Sequence, residues 1–232
     1  MNNSTPDYRK ASLKAAEILL LSNEIKAFPF KVADVVNEFF DIKFKAYAEM
    51  TKRGIPKSFW LSDDAELIEL NGRNIIFYNQ DIRDVHRMRF SVLHEVGHYY
   101  MQHNLSELRK IKERNIETFK TVYTTYEREA DFFAASLLMP DAIIKELIRR
   151  GYKITPNFFV KNFNVSYKAA EVKMNIFRKF NSYGLFDSDD NFESYILQKY
   201  INFDNSIAPQ KRIKHYSMER EYELQAERDS WY

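Results

Sequence analysis

Residues 89–98 read RFSVLHEVGH and contain the pattern His-Glu-x-x-His. Apolar residues recur at helical spacing from Asp84 to about Gln102, so this stretch is predicted to be a helix. Four residues make just over one helical turn, and His94 and His98 therefore project from the same face. Two imidazoles at that spacing can bind one Zn²⁺, and a glutamate beside them can reach a water on the metal. We interpret His94 and His98 as metal ligands and Glu95 as the general base.

The alternative interpretation of this helix is a face on which two histidines are merely exposed or hydrogen-bonded in a core. Gly97 argues against it, because a glycine inside a helix costs roughly 1 kcal/mol relative to alanine. The glycine indicates that another part of the chain approaches the backbone closely at this point.

A zinc peptidase also needs a third protein ligand and an open position for water. The class with a third histidine is excluded, because its glycine and histidine positions hold Met101 and Asn104 here. His103 lies about 140° around an ideal helix from His98, so it is predicted to point away from the metal. It is interpreted as a helix-end cation or a local capping group.

The third ligand is predicted in the downstream segment YEREADFFA, residues 126–134. Glu127 and Asp131 are four residues apart and share a helix face. Glu127 is the candidate ligand, and Asp131 is the candidate acceptor for the far nitrogen of a ligand histidine. Glu129 lies about 160° around the helix from each of them and is predicted to be solvated. Taken alone, this segment favours an amphipathic helix with ordinary surface charges; beside His-Glu-x-x-His it favours a metal site.

Residues 89–98, followed by EREADFFAASLLMP at 127–140, resemble the ImmA/IrrE family of metallo-endopeptidases. Further points of likeness are the Asn71-Gly72 dipeptide upstream and residues 163–166 downstream. In all, the resemblance covers about residues 30–180. The resemblance implies an α+β, mainly helical fold with a thermolysin-like (gluzincin) zinc-peptidase core. The implied parts are an N-terminal helix, a small antiparallel sheet, an active-site helix pair and a C-terminal helix-turn-helix-like extension. It also implies one Zn²⁺ per chain and a protein substrate, typically a DNA-binding helix-turn-helix repressor in a mobile element or stress circuit.

The chain is predicted to have three parts. Residues 1–140 form the zinc-peptidase domain with its N-terminal helix, residues 141–182 a helix-turn-helix-like subdomain, and residues 183–232 a charged extension, partly helical or disordered. The Asn71-Gly72 dipeptide between two apolar runs predicts a β-hairpin. Thr125 is predicted to cap the helix that carries the third ligand, and a helix over residues 191–201 is predicted to pack on the body.

Composition narrows the class of partner. The 232 residues carry a formal net charge of +2 and no cysteine. This charge gives no electrostatic case for nucleic acid or membrane as the main partner, and the lack of cysteine excludes thiol catalysis and Cys-based zinc fingers. The polar N-terminus MNNSTPD lacks the plan of a signal peptide, which predicts a cytoplasmic protein.

Two other functions compete with the peptidase. The first is a DNA-binding regulator with a structural or vestigial metal site, favoured by the helix-turn-helix outline of residues 155–180. Its candidate recognition helix carries Lys168, Lys173, Asn175, Arg178 and Lys179. The second is a module that sequesters a repressor without cutting it, for which the base would be dispensable. The sequence favours catalysis because both histidines, the base and the downstream Glu-x-x-x-Asp are all present.

A peptidase also needs a donor that stabilises the tetrahedral oxyanion, usually a histidine or a tyrosine. The sequence leaves this residue open. The candidates are Tyr99, Tyr100, Tyr123 and Tyr126; His86 is a further possibility that is set aside, because a lone histidine is more often structural.

Overall fold

A computed structural model describes residues 5–54, 60–182 and 190–200. The described residues form ten helices and three strands. The helices are α1 (Tyr8–Leu21), α2 (Val32–Phe39), α3 (Tyr47–Lys52), α4 (Val85–Tyr100), α5 (Leu105–Arg114), α6 (Ile116–Leu138), α7 (Asp141–Arg149), α8 (Pro156–Phe163), α9 (Tyr167–Ser182) and α10 (Asp190–Lys199). The strands are β1 (Ile42–Ala46), β2 (Ala65–Leu70) and β3 (Arg73–Tyr78).

The sheet has the order β1-β3-β2, with β3 in the centre. The predicted hairpin joins β2 to β3, and Asn71 and Gly72 both adopt positive φ angles, 53° and 72°, as a two-residue turn requires. β1, however, runs parallel to β3, so the predicted antiparallel sheet is wrong in this part and the sheet is mixed. Parallel neighbours need a crossover connection, and the chain from α3 to β2 provides it. The alternating apolar and polar residues of β1 indicate a strand, but they do not indicate which strand it pairs with or whether the pairing is parallel.

The two faces of the sheet are both covered. Leu67 and Ile76 belong to the main hydrophobic core, which the apolar side of α4 also enters. On the opposite face, Ile75 and Phe77 pack with Met50 of α3 in a smaller cluster. β2 lies at one edge of the three-stranded sheet, next to the helix that carries His-Glu-x-x-His.

The centre of the fold is α6, a helix of 23 residues that contacts α1, α4 and α5. Its N-cap is Asn115, whose side chain accepts hydrogen bonds from the amides of Glu117 and Thr118. The cap predicted at Thr125 is therefore wrong. Thr125 lies inside the helix, and its hydroxyl donates to the carbonyl of Thr121 at 3.1 Å. Threonine can cap a helix or bond back to the preceding turn, and residue type alone does not decide between the two.

Helices α8 and α9 pack against each other in the predicted helix-turn-helix-like region. Thr155 caps α8 and Ser166 caps α9. Lys173 of α9 is only 2% exposed, and its ammonium lies 2.8 Å from the carboxylate of Asp141. This lysine is thus not available to a nucleic acid, which weakens the DNA-binding alternative. The division into domains at residues 140 and 182 stays a prediction.

The predicted helix near residues 191–201 is α10, and it packs on the body as expected. Ile196 and Tyr200 are buried, and the Tyr200 hydroxyl donates to the Leu19 carbonyl of α1 at 2.8 Å. The remainder of the predicted charged extension, at 183–189 and 201–232, lies outside the described residues. Among the residues that the structure describes, no helix has the length and hydropathy needed to span a membrane.

Candidate metal and catalytic site

Helices α4 and α6 bring three predicted ligands together. The Nε2 atoms of His94 and His98 lie 2.9 Å apart. The carboxylate of Glu127 lies 3.4 Å from His94 Nε2 and 3.3 Å from His98 Nε2. The histidine side chains are 13% and 3% exposed and that of Glu127 is 31% exposed, so the cluster lies at the edge of the core with one side open.

These donor atoms fit a tetrahedral metal ion. Zinc binds nitrogen and oxygen ligands at about 2.0–2.1 Å, which places two tetrahedral ligand atoms about 3.3 Å apart. The two distances to Glu127 agree with that value, and the distance between the imidazoles is a few tenths of an ångström shorter. A metal ion bound by all three groups would lie between these atoms.

Asp131 lies beside His94. Its carboxylate is 2.8 Å from Nδ1 of His94, on the side of the ring away from Glu127. A carboxylate accepts a hydrogen bond, so Nδ1 of His94 carries a proton. On metal binding, the lone pair at Nε2 would then be directed towards the cluster.

The charges of the metal-free cluster are strongly perturbed. Burial alone would lower the pKa of His94, but the carboxylates of Asp131 and Glu127 outweigh it and raise the pKa to about 10. Burial lowers the pKa of His98 to about 4. Burial opposes ionisation of Glu127, but the contact with protonated His94 outweighs it and lowers the pKa of Glu127 to about 2. Without a metal, the cluster therefore holds one positive charge, on His94, against an ionised Glu127.

Glu95 is buried beside the two histidines, with only 4% of the residue exposed. One of its oxygens accepts a hydrogen bond from the amide of Leu67 in β2 at 2.6 Å. Potential ligand atoms of Glu95, His94 and His98 all lie within 4.8 Å of one another. Burial raises the pKa of Glu95 to about 8. A carboxyl group that titrates near neutral pH is suited to both taking and giving a proton.

The close approach that Gly97 indicates is made by α6. A Cβ atom on Gly97 would lie 3.0 Å from the ring of Phe133 and 3.1 Å from Cα of Ala130. Contacts of that length are shorter than ordinary van der Waals distances. Glycine at this position lets α6 lie close enough for Glu127 to reach the two histidines.

Glu129 is buried at 8% exposure, so the prediction that it is solvated is wrong. One oxygen lies 2.8 Å from Nε2 of His103, and the other accepts a hydrogen bond from the amide of Asp7 at 2.6 Å. Glu129 does lie on a different side of α6 from Glu127 and Asp131. The prediction of solvent exposure failed because α6 packs against α1 as well as α4, and therefore has more than one buried side.

His103 lies behind His98, on the side away from the cluster, where its Nδ1 is 2.8 Å from Nδ1 of His98; it is buried rather than a solvated group at a helix end. The calculated angle of 140° assumed that the helix continues. In fact α4 ends at Tyr100, and Gln102 adopts a left-handed φ of 61°, which turns the chain back towards His98. Glutamine is not among the residues enriched in that conformation. The sequence thus carried no signal for this contact.

Three of the candidates for the oxyanion donor either contact residues outside the cluster or are exposed. The hydroxyl of Tyr100 donates to Glu17 at 3.0 Å. His86 contacts Asn164 at 2.9 Å, at the opposite end of α4. Tyr99 is among the exposed aromatic residues.

The two tyrosines on α6 lie nearer the cluster. The ring of Tyr126 stacks on His103, with centroids 4.2 Å apart. The hydroxyl of Tyr123 donates to the Leu61 carbonyl at 3.2 Å. Burial, together with the neighbouring carboxylate of Glu127, raises the pKa of Tyr123. The phenol of Tyr123 therefore stays protonated at neutral pH, beside a predicted ligand.

Comparison with known proteins identifies the family. The family model for the IrrE N-terminal-like domain, peptidase family M78, matches residues 49–175, more than half of the chain. The chain belongs to the ImmA/IrrE family. The matched region includes both α4 and α6, and with them all five predicted site residues. No curated protein matches the chain significantly. The resemblance seen in the sequence is thus confirmed, and α1 and α2 of this ImmA/IrrE protein lie before the matched region.

Proposed function

We propose that this protein is a zinc-dependent endopeptidase that hydrolyses a peptide bond in another protein. The observation that carries the proposal is the convergence of His94, His98 and Glu127 beside the buried carboxyl group of Glu95. Membership of a peptidase family supports it. In this assignment the two histidines and Glu127 hold one Zn²⁺ per chain, and Asp131 orients His94.

A zinc ion held there would supply a Lewis acid, which lowers the pKa of water from about 15.7 towards about 7 and polarises a carbonyl. Glu95 accepts the proton of the attacking water and delivers it to the leaving amine. Its hydrogen bond from Leu67 fixes one carboxylate oxygen, so the proton moves at the other.

Tyr123 is the residue we assign to the oxyanion. Its hydroxyl lies one helical turn before Glu127 and beside that carboxylate, and it is protonated at neutral pH. A phenol in this position can donate a hydrogen bond to the negative oxygen of the tetrahedral intermediate. The contact with Leu61, at 3.2 Å, is one that the hydroxyl can exchange for the negative oxygen of the tetrahedral intermediate.

The substrate we propose is a DNA-binding helix-turn-helix repressor of a mobile element or stress circuit. This part of the proposal rests on the resemblance to the ImmA/IrrE family. The net charge of +2 agrees with a protein substrate better than with DNA. The buried ion pair of Lys173 also leaves the helix-turn-helix-like region less suited to binding DNA itself.

The proposal is tested by digestion of a proteome-derived peptide library and of purified helix-turn-helix repressors, with new termini read by mass spectrometry. The zinc-loaded protein should create new termini, and both a chelator and Glu95→Gln should abolish them. A zinc-loaded protein that cuts neither kind of substrate would overturn the peptidase assignment. Cleavage of the library with every repressor left intact would overturn the repressor as substrate.

A further inference from the structure

A continuous chain of hydrogen bonds runs behind His98, on the side away from the cluster. His98 Nδ1 lies 2.8 Å from His103 Nδ1, and His103 Nε2 lies 2.8 Å from one oxygen of Glu129. The other oxygen of Glu129 accepts a hydrogen bond from the amide of Asp7 at 2.6 Å. We call these three side chains and the Asp7 amide the His98 relay.

With both imidazoles neutral, only one placement of their protons completes these hydrogen bonds. The carboxylate of Glu129 is an acceptor, so Nε2 of His103 must carry its proton and Nδ1 must hold a lone pair. His98 therefore donates from Nδ1 and keeps its lone pair at Nε2. Nε2 is the atom that faces Glu127 and His94. The relay thus fixes the tautomer of His98 that a metal requires.

The relay is also shielded from solvent. The side chains of His103 and Glu129 are 4% and 10% exposed. The ring of Tyr126 lies parallel to the ring of His103, with an interplanar angle of 4°. By contrast, Asp131, which orients His94, is 58% exposed, so water competes for its hydrogen bond. We expect the relay to matter more for metal binding than Asp131 does.

We propose that His103 and Glu129 are positioning residues that hold His98 for the metal, and that the first turn of α1 is part of this support. The inference rests on the proposed metal site. Asp7 lies outside the matched region 49–175, yet its amide ends the relay. The same turn makes a second contact, because the ammonium of Lys10 lies 3.3 Å from the Met101 carbonyl just beyond α4. The N-terminal helix therefore braces both the helix end and the relay.

The first test is the zinc affinity of the full chain, measured by competition with a chromophoric chelator. His103→Phe and Glu129→Gln should each weaken binding, by about 10- to 100-fold, as removal of such outer partners typically does. The double variant should lose about as much zinc affinity as the single variant that binds zinc more weakly, because the effects of substitutions within one network are not additive. A Co²⁺ absorption spectrum of each variant reports whether the ligand geometry has changed.

The matched control is Asp141→Asn. It breaks another buried ion pair, with Lys173 at 2.8 Å, and so lowers stability without touching the relay. It should bind zinc as the wild type does. Should His103→Phe fail to fold, Glu129→Gln carries the test, because it keeps the size of the side chain.

A second pair of variants tests the N-terminal end. Asp7→Ala removes the side chain that caps α1 but keeps the backbone amide, whereas Asp7→Pro removes both. Zinc affinity should fall further in Asp7→Pro than in Asp7→Ala. Equal affinities in these two variants would contradict the part assigned to α1.

The outcomes separate the relay from the proposed function. Wild-type protein that binds no zinc would overturn the metal site and the relay together. Zinc-binding wild type, with relay variants that bind no more weakly than Asp141→Asn, would overturn the relay and leave the metal site standing.

Discussion

A methyl group on Gly97 of α4 would lie 3.1 Å from Cα of Ala130 in α6 and 3.2 Å from its carbonyl oxygen. The two helices that carry the predicted ligands are in contact at this point. His98 follows Gly97 directly, and Glu127 lies one turn before Ala130. The distance between the helices is therefore set where the donor atoms must meet.

Gly97→Ala should lower the free energy of unfolding by about 1–3 kcal/mol, because the added methyl group overpacks the helix contact. The better helix propensity of alanine, worth roughly 1 kcal/mol, works in the opposite direction. The contacts with Ala130 are to backbone atoms and cannot move aside as a flexible side chain would. Denaturant unfolding checks this, and a variant as stable as the wild type would contradict the close contact.

The sequence predicted the parts of the site that depend on local spacing. His94 and His98 share a helix face because of a fixed rotation per residue, and Glu127 and Asp131 do so for the same reason. The hairpin at Asn71-Gly72 follows from the dihedral angles that such a turn needs.

The features that sequence reasoning missed depend on tertiary contacts. β1 pairs with β3 rather than β2, and the pattern of a strand does not name its partner. Glu129 is buried because α6 packs on two sides. His103 reaches His98 only because the chain turns at Gln102. None of these leaves a periodic signal in the residues themselves.

Tyr123→Phe should reduce kcat about 10²–10³-fold, which is typical for loss of one oxyanion donor. KM and zinc content should change little, because the phenol is not assigned to the metal or to the bound substrate. Steady-state kinetics on a cleaved peptide checks this. The comparison is Tyr100→Phe, whose hydroxyl instead donates to Glu17. Equal activity in both variants would remove Tyr123 from the mechanism.

Glu95→Gln should keep zinc and lose catalysis. An amide of the same size fills the buried position but cannot accept the proton, so kcat should fall by about 10²–10⁴-fold. Zinc content by elemental analysis and hydrolysis of the same peptide are measured on one preparation. Retained hydrolysis would exclude Glu95 as the base.

Metal-free protein should become less stable as pH rises from about 6.5 to about 8. The pKa of Glu95 in the folded protein is raised to about 8 from an ordinary 4.5. Its buried carboxyl group therefore lowers the stability of the folded state increasingly as pH rises towards 8. The pKa of His94 is raised to about 10 from 6.5, so its contribution is complete below pH 6.5 and is lost as pH rises. In both cases the folded state binds more protons than the unfolded state does in this window.

Thermal unfolding of the chelator-treated protein checks this pH dependence. Its Tm should fall across the window, and Glu95→Gln should show a shallower slope. Zinc replaces the proton on His94, so the loaded protein should also show a shallower slope. A Tm that is constant or rises with pH in the metal-free protein would contradict the charges assigned to the cluster.

The most direct test of the account is the zinc content of three purified proteins by elemental analysis: wild type, Glu127→Ala and Glu117→Gln. Glu117 is the matched control, because it is a carboxylate on the same helix with a side chain that is 79% exposed. The account predicts about one zinc per chain in the wild type and in Glu117→Gln, and its loss in Glu127→Ala. A wild type that takes up no zinc, or a Glu127→Ala variant that retains it fully, would contradict the three-ligand site.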